Sequence, residues 1–511
     1  MDEKWFRSLL RRRFTVALSL VLQLAFIVYA LLSRSLTSRV LSASLTLLSL
    51  GACLYIISKK DKGAFKLTWV FLIMLFPLFG GLFYLLFRSQ SPNKKSRQRY
   101  GEISRSAAEL MKLPGDCYEE ACALVPEHSP QIRYLQQFAG FPIYSGSSTE
   151  YLSPGEKMHE KLIEELEKAE KYIFLEFFII EDGKMWREIL EVLRRKVKQG
   201  VKVRVMYDDM GCFLKLPNGY ADRLQEYGVE CIVFNPFRPI LSSVQNNRDH
   251  RKIAVIDGKV AFTGGVNLAD EYINAVEKFG HWKDAAVMIK GKAAWSFTLI
   301  FLEMWAHCTG LDEDLKRYYP WKNGECTEEN DGYVQPYADS PTDRENVGEH
   351  VYLQMINRAR EYIYINTPYL IIDDSMLSAL CLAAKSGVDV RIVTPYKWDK
   401  RLVHMTTRSY YGELINNGVK VYEYSKGFIH SKTFVCDDTT ATVGTTNLDF
   451  RSLYLHFECG VWMYGSRAVM QLKEDFIATL EHCRPVTEAD CRCGILKRWF
   501  QEILRLFAPL M

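Results

Sequence analysis

The chain has 511 residues, 48% of them hydrophobic, with a formal net charge of +4. That length exceeds one ordinary core and implies two or three domains. The near-balanced charge gives no support for a nucleic-acid binder. The 13 cysteines are an odd number scattered through apolar runs, as small buried hydrophobes are. Cys483, Cys491 and Cys493 fall short of the four ligands of a structural metal site.

Three apolar runs open the chain, at 14–32, 40–57 and 67–87. Each is near the roughly 20 residues that cross a bilayer, and Tyr29, Tyr55, Trp69 and Tyr84 lie towards run ends, as interfacial anchors do. Lys4, Arg7 and Arg11 to Arg13 give the first run a signal-peptide front, but a further apolar run follows where a soluble sequence should. The expectation is a membrane anchor over 1–90 with three transmembrane helices, or two. Basic residues flank both sides almost equally, so orientation is open. A polar linker with short helices is expected over 91–140, its basic front suited to anionic headgroups.

The remainder reads as a tandem repeat. Helices are expected at 158–170, 184–199 and 220–227, alternating with strands at 172–180, 201–207, 229–234 and 285–289. The same order returns as helices at 349–360, 374–386 and 408–416, with strands at 362–367, 388–393, 419–424 and 458–464. GVKVRVMY echoes GVDVRIVT, and YGVECIVF echoes NGVKVYEY. Alternation of this kind implies layered α/β units, here 141–325 and 326–494, packed about a pseudo-twofold axis with one composite site between them. Residues 495–511 form an amphipathic C-terminal segment suited to a membrane interface.

One motif occurs once in each unit: HRKIAVIDGKVAFTGGVN from His250 and HSKTFVCDDTTATVGTTN from His430. Both read His, one residue, Lys, four residues, Asp, and both place Asn three positions after a Gly: Gly264 with Asn267, Gly444 with Asn447. Two His, two Lys and two Asn converging on one site make a cradle for a phosphate that needs no metal. One imidazole can attack phosphorus while the other protonates the leaving oxygen, and the Lys and Asn donors steady the equatorial oxygens. Asp284 and Glu458 open equivalent strands and are the candidates to orient the imidazoles. Asp257 and Asp437 begin turns after their strands, which points to a structural part.

The doubled H-x-K-x4-D resembles the phospholipase D superfamily. The surrounding HRKIAVIDGKVAFTGGVNLADEY and HSKTFVCDDTTATVGTTNLDFRSLYLHFE are similar to its bacterial cardiolipin synthase branch, as are the anchor and the ending LRLFAPLM. The first apolar run looks additional to that branch's two-span anchor. The resemblance implies a multi-pass enzyme of the cell membrane that converts two phosphatidylglycerols to cardiolipin and glycerol through a phosphohistidine, without a cofactor or metal. On that carry-over His250, Lys252 and Asp257 with His430, Lys432 and Asp437 are catalytic, and Asn267 and Asn447 bind the substrate phosphate. The motifs leave open which imidazole attacks; His250 is the working assignment. A phospholipase D-type hydrolase, or a synthase using another phospholipid donor, would carry the same residues. A nuclease fits less well, because SLYLHFE and IFLEFFII offer no basic stripe. A non-catalytic scaffold is disfavoured by the intact His and Lys of both copies.

Overall fold

The computed structural model describes residues 25, 36–76, 84, 94–115, 117–236, 243–321, 326, 328–343 and 345–510. The chain forms two compact units: Met1–Pro92 with Phe237–Asn247 and Glu502–Met511, and Asn93–Pro236 with Arg248–Gln501.

In the smaller unit, helices Leu36–Ser58 and Gly63–Leu75 bury Cys53, Ile56, Trp69 and Ile73 together with Tyr84. Thr68 Oγ1 donates to the Leu506 carbonyl at 2.7 Å, and Phe71 meets Phe507 edge-on. Among the described residues, no helix is long and apolar enough to cross a membrane. The transmembrane helices expected over 40–57 and 67–87 are therefore not supported among the described residues. Run 40–57 lies in a helix carrying Arg39 and dotted with Ser44, Thr46 and Ser49. Run 67–87 is described as helix only to Leu75, and Phe76, at φ −130° and ψ 71°, has left helical geometry. Pro77 follows, and a proline disfavours the helical region for the residue before it. The 13 residues of that helix span about 20 Å, against about 30 Å of hydrocarbon. Run 14–32 lies, apart from Ala25, outside the described residues.

The larger unit holds two mixed sheets. The first is built from β1 (Ser147–Leu152), β2 (Tyr172–Phe177), β3 (Lys202–Asp208), β4 (Glu230–Phe234), β5 (Lys252–Ile256) and β6 (Val260–Gly264). A short β7 (His281–Lys283) follows outside it, then β8 (Ala286–Gly291) completes it. The second half supplies β9 (Tyr333–Asp339), β10 (Tyr362–Asn366), β11 (Leu370–Ile371), β12 (Asp389–Pro395), β13 (Lys420–Tyr424), β14 (Gly427–Ile429), β15 (Thr433–Cys436), β16 (Thr440–Gly444), β17 (Leu448–Asp449), β18 (Glu458–Tyr464) and β19 (Cys483–Pro485). The first sheet runs β1-β8-β6-β5-β2-β3-β4, and the second β9-β18-β16-β15-β10-β12-β13 with β19 added at its edge. The strand order is the same in both halves, so each motif occupies the same place in its sheet.

Both motif strands are central and buried along their whole length, KIAVI in β5 and TFVC in β15. Gly264 and Gly444 end the strands that follow. A Cβ there would stand 2.4 Å from the Ala285 carbonyl oxygen and 2.6 Å from that of Cys459, so only glycine lets the neighbouring strand approach this closely.

One core cluster runs from the first sheet (Val287, Ile289) to the second (Val435, Val443, Val461). It includes helix Ala294–Thr309, buried from Ala294 through Trp305, and helix Arg467–Leu480. The stretch expected as a linker contains the 18-residue helix Lys94–Met111, which sends Tyr100, Ala107 and Met111 into this core. Its polar composition hid three apolar residues at helical spacing.

Candidate active site

Each motif histidine sits two residues ahead of a lysine, where the chain enters β5 or β15. Main-chain bonds fix both from the opposite half. His250 N donates to the Phe457 carbonyl at 2.9 Å, and His430 N donates to the Lys283 carbonyl at 2.7 Å. The same exchange appears in the pairing of β7 with β14 and in the parallel bridge of Asp249 with Phe457.

The imidazoles follow the same rule. His250 Nδ1 lies 2.9 and 3.0 Å from the two Glu458 oxygens, and His430 Nδ1 lies 2.7 Å from Asp284 Oδ2. Glu458 and Asp284 are fully buried. Each half therefore supplies the carboxylate that orients the other half's histidine, so neither half holds a complete His–carboxylate pair. A carboxylate on Nδ1 leaves Nε2 as the chemically available nitrogen. Phe178 packs on His250 with ring centroids 5.0 Å apart, and Trp282 and Tyr272 pack on His430 at 5.4 and 5.5 Å.

The two lysines crowd these rings. Lys252 Nζ donates to the His250 carbonyl at 2.5 Å. Lys432 Nζ donates to the His430 carbonyl and lies 2.8 Å from Nδ1 of the same ring. Burial lowers Lys432 to about 7 and Lys252 to about 8. Burial, followed by Lys252, His456, Lys432 and His430, holds the His250 imidazole well below its ordinary value. Burial and then Lys432 lower His430 to about 4, with Asp284 pulling the other way. Burial pushes Asp284 up, but Lys432 and His430 outweigh it and hold the carboxyl below its ordinary value. Burial pushes Glu458 well above its own, against Lys252 and the Thr445 hydroxyl. The site thus gathers neutral-leaning imidazoles and easily discharged ammonium groups, an environment that an anion entering it would recharge.

A family model described as cardiolipin synthase, PLD-like domain matches residues 162–305 and 352–480, which include both histidines and both carboxylates. The chain belongs to the cardiolipin synthase family of the phospholipase D superfamily. It is an enzyme of that type. A second model, phospholipase D-nuclease N-terminal, matches residues 47–88. The chain is 36% identical over 452 residues to a cardiolipin synthase of Geobacillus kaustophilus, covering 88% of this chain and 89% of that one. It is 37% identical over 448 residues to cardiolipin synthase 2 of Bacillus anthracis, covering 87% and 86%. An uncharacterized protein of Streptococcus mutans is 42% identical over 470 residues, 90% of this chain and all of that one. Among solved structures, a phosphatidylserine synthase of Haemophilus influenzae superposes with a TM-score of 0.55 at 16% identity, covering 74% of this chain and 97% of that chain. That likeness extends to the fold.

Not all motif residues of this cardiolipin synthase family member gather at the imidazoles. Asp257 lies beyond the far end of β5, about 16 Å of strand from Lys252. Its carboxylate accepts main-chain N–H from Glu170, Lys171 and Tyr172 at 2.7–2.8 Å. Asp437 does the same for Arg360, Glu361 and Tyr362 at 2.8–3.0 Å. Both take positive φ, 52° and 50°, which aspartate tolerates in a turn. These aspartates pin the start of the strand beside the motif strand in each sheet, β2 and β10. Asn267 accepts from Ile179 N at 3.0 Å and donates to the Tyr272 hydroxyl at 2.7 Å, and Asn447 donates to Ser452 Oγ at 3.1 Å. The Asn267 amide is engaged at both ends, while Asn447 Oδ1 is buried without a hydrogen-bond partner.

Sequence reasoning missed two groups. His456 is 10% exposed, stands 5.6 Å ring to ring from His250 and reaches within 3.7 Å of Glu458. Its signal was its offset, two residues before Glu458. Arg251, between the motif His and Lys, is buried with Glu176, Asp249 and Glu303 around it and donates to the Glu458 carbonyl at 3.3 Å. Among the described residues, His250, His456 and Glu458 are the one group with three converging metal-type donors. The adjacent Lys252 charge works against a cation there.

Proposed function

We propose that this enzyme transfers a phosphatidyl group from one phosphatidylglycerol to another, giving cardiolipin and glycerol, through a phosphohistidine at His250. The reciprocal His250–Glu458 and His430–Asp284 pairs carry this reading. His250 Nε2 attacks the donor phosphorus, the bond to the glycerol oxygen breaks, and His430 gives that oxygen its proton. The terminal hydroxyl of the second phosphatidylglycerol then attacks phosphorus, His430 takes its proton, and the P–N bond breaks. Lys252 and Lys432 supply the positive charge that the phosphoryl oxygens need. Asp284, held ionised, suits His430 to carry the proton. The depressed His250 suits a neutral nucleophile.

In this reading 141–325 and 326–494 act as two units about a pseudo-twofold axis, with 91–140 leading into the first. The bilayer and its anionic phospholipids are the working environment. Exposed Leu47, Leu48, Leu54, Leu67 and Met74, and Leu496 and Trp499 of helix Ile495–Phe507, support a seat at the cell membrane.

The test uses purified full-length protein in mixed micelles with labelled phosphatidylglycerol, beside His250→Ala and His430→Ala. Cardiolipin plus glycerol from the wild type, lost in both variants, is expected. Phosphatidic acid as the sole lipid product would make the enzyme a hydrolase. Turnover only with a different phospholipid would reassign the donor.

A further inference from the structure

The two sides of the composite site are built alike but furnished differently. Counting from the motif Asn, Glu271 in the first half occupies the place of Arg451 in the second, four residues on. Tyr272 likewise answers to Ser452, and both take the hydrogen bond of their Asn amide. Counting back from the carboxylate, Trp282 occupies the place of His456. Trp282 packs on His430 at 5.4 Å just as His456 packs on His250 at 5.6 Å. One side therefore carries a carboxylate and an indole, the other a guanidinium and an imidazole.

On the first side Glu271 and Tyr272 are engaged, and Trp282 Nε1 is buried without a hydrogen-bond partner. Glu271 pairs with Lys215 at 3.2 Å and Lys278 at 2.8 Å. On the second side more are unmet. Arg451 Nε and both ring nitrogens of His456 are buried with no hydrogen-bond partner. A folded protein rarely leaves three such atoms unmet in one place without a ligand to meet them. The main chain brings the two residues together: His456 N donates to the Arg451 carbonyl at 3.0 Å, and Leu455 N to the same oxygen at 2.9 Å. After burial, Arg451, Lys252, Arg248 and Lys400 press on His456, while Glu458 stands 3.7 Å from its Nδ1 and Asp449 and Asp208 act on Arg451.

We infer that Arg451 and His456 bind the phosphodiester of the acceptor phosphatidylglycerol, the phosphate that does not react. This rests on the proposed transfer and adds the second lipid's place in it. A guanidinium suits a phosphate through its planar fork, and an imidazole N–H adds a third donor. The position fits the product. Cardiolipin's two phosphates are separated by a single glycerol, and His456 lies one ring away from the imidazole assigned to the reacting phosphorus. The first side, with Trp282 and a paired Glu271, offers no such welcome to a second anion. The asymmetry would make the enzyme prefer an acceptor that carries a phosphate beside its hydroxyl over a bare alcohol.

The experiment compares two reactions of the full-length enzyme in phosphatidylglycerol micelles. Incorporation of labelled glycerol into phosphatidylglycerol uses the phosphatidyl-enzyme but an acceptor without phosphate. Cardiolipin formation needs the acceptor phosphate. In Arg451→Gln and in His456→Leu, the ratio of cardiolipin formed to glycerol exchanged should fall about 10- to 100-fold, the loss expected for hydrogen bonds to a charged group. The apparent KM for acceptor phosphatidylglycerol should rise, and Arg451→Lys should recover part of the ratio. An unchanged ratio would overturn the assignment. So would equal loss of both reactions, which would place Arg451 and His456 with the reacting phosphate or the fold. A wild type that neither exchanges glycerol nor makes cardiolipin would instead remove the underlying transfer reaction, and this assignment with it.

Discussion

Replacing Asp284 by Asn tests the part of the proposal that depends most on tertiary structure. Asp284 is fully buried, 2.7 Å from His430 Nδ1, and its other oxygen accepts from Ala285 N at 2.8 Å. The amide has the same shape, so packing should survive. The charge does not. At an effective dielectric of about 20, unit charges about 4 Å apart attract by about 4 kcal/mol, and His430 loses that help when it must become an imidazolium. At one factor of ten per 1.4 kcal/mol, the rate of glycerol release should fall by about 10³. An amide N–H facing Nδ1 also selects the wrong tautomer, a further penalty. The assay is a rapid-quench measurement of labelled glycerol released from phosphatidylglycerol in the first turnover, beside a thermal melt. A variant that melts like the wild type and releases glycerol within threefold of its rate would refute the assignment of His430 and Asp284 as the proton-carrying pair.

Three further outcomes follow from the geometry. Asp257→Ala and Asp437→Ala each remove three carboxylate–main-chain bonds far from the imidazoles. Each should lower stability by about 1.5–3 kcal/mol in urea titration, with kcat of the folded fraction close to wild type; a large kcat loss without a stability change would return the aspartates to the chemistry. Lys432 at about 7 and Lys252 at about 8 are cations below those values and neutral above them. The free enzyme should therefore lose kcat/KM as pH rises, first with the proton of His430 at about 4 and then with the lysines through about 7 to 8, and a profile flat to pH 9 would contradict this. Cardiolipin formation should persist in EDTA, because lysines and imidazoles supply the positive charge; inhibition reversed by a divalent cation would point instead to His250, His456 and Glu458 as its ligands.

The repeat, its α/β alternation and the two H-x-K motifs were legible in the sequence because each rests on local signals. Buried strands such as KIAVI read as β-branched apolar runs, and Asp284 and Glu458 show as carboxylates at the start of equivalent strands. The sequence also decided the family, since the residues that carry the resemblance lie in continuous stretches. Other features depend on contacts between residues far apart in the chain. That Glu458 serves His250 and Asp284 serves His430, rather than each its own half, follows from main-chain bonds across 207 and 147 positions of sequence. Helix Lys94–Met111 looks like a linker until helix Ala294–Thr309 gives its sparse apolar face something to cover. Asp257 and Asp437 belong to the motif by spacing, yet a five-residue strand carries Asp257 away from the site and turns it to the backbone. Spacing along the chain records which residues go together. Only the folded sheets decide which of them face one another, because a strand moves each successive residue about 3.3 Å and reverses its side.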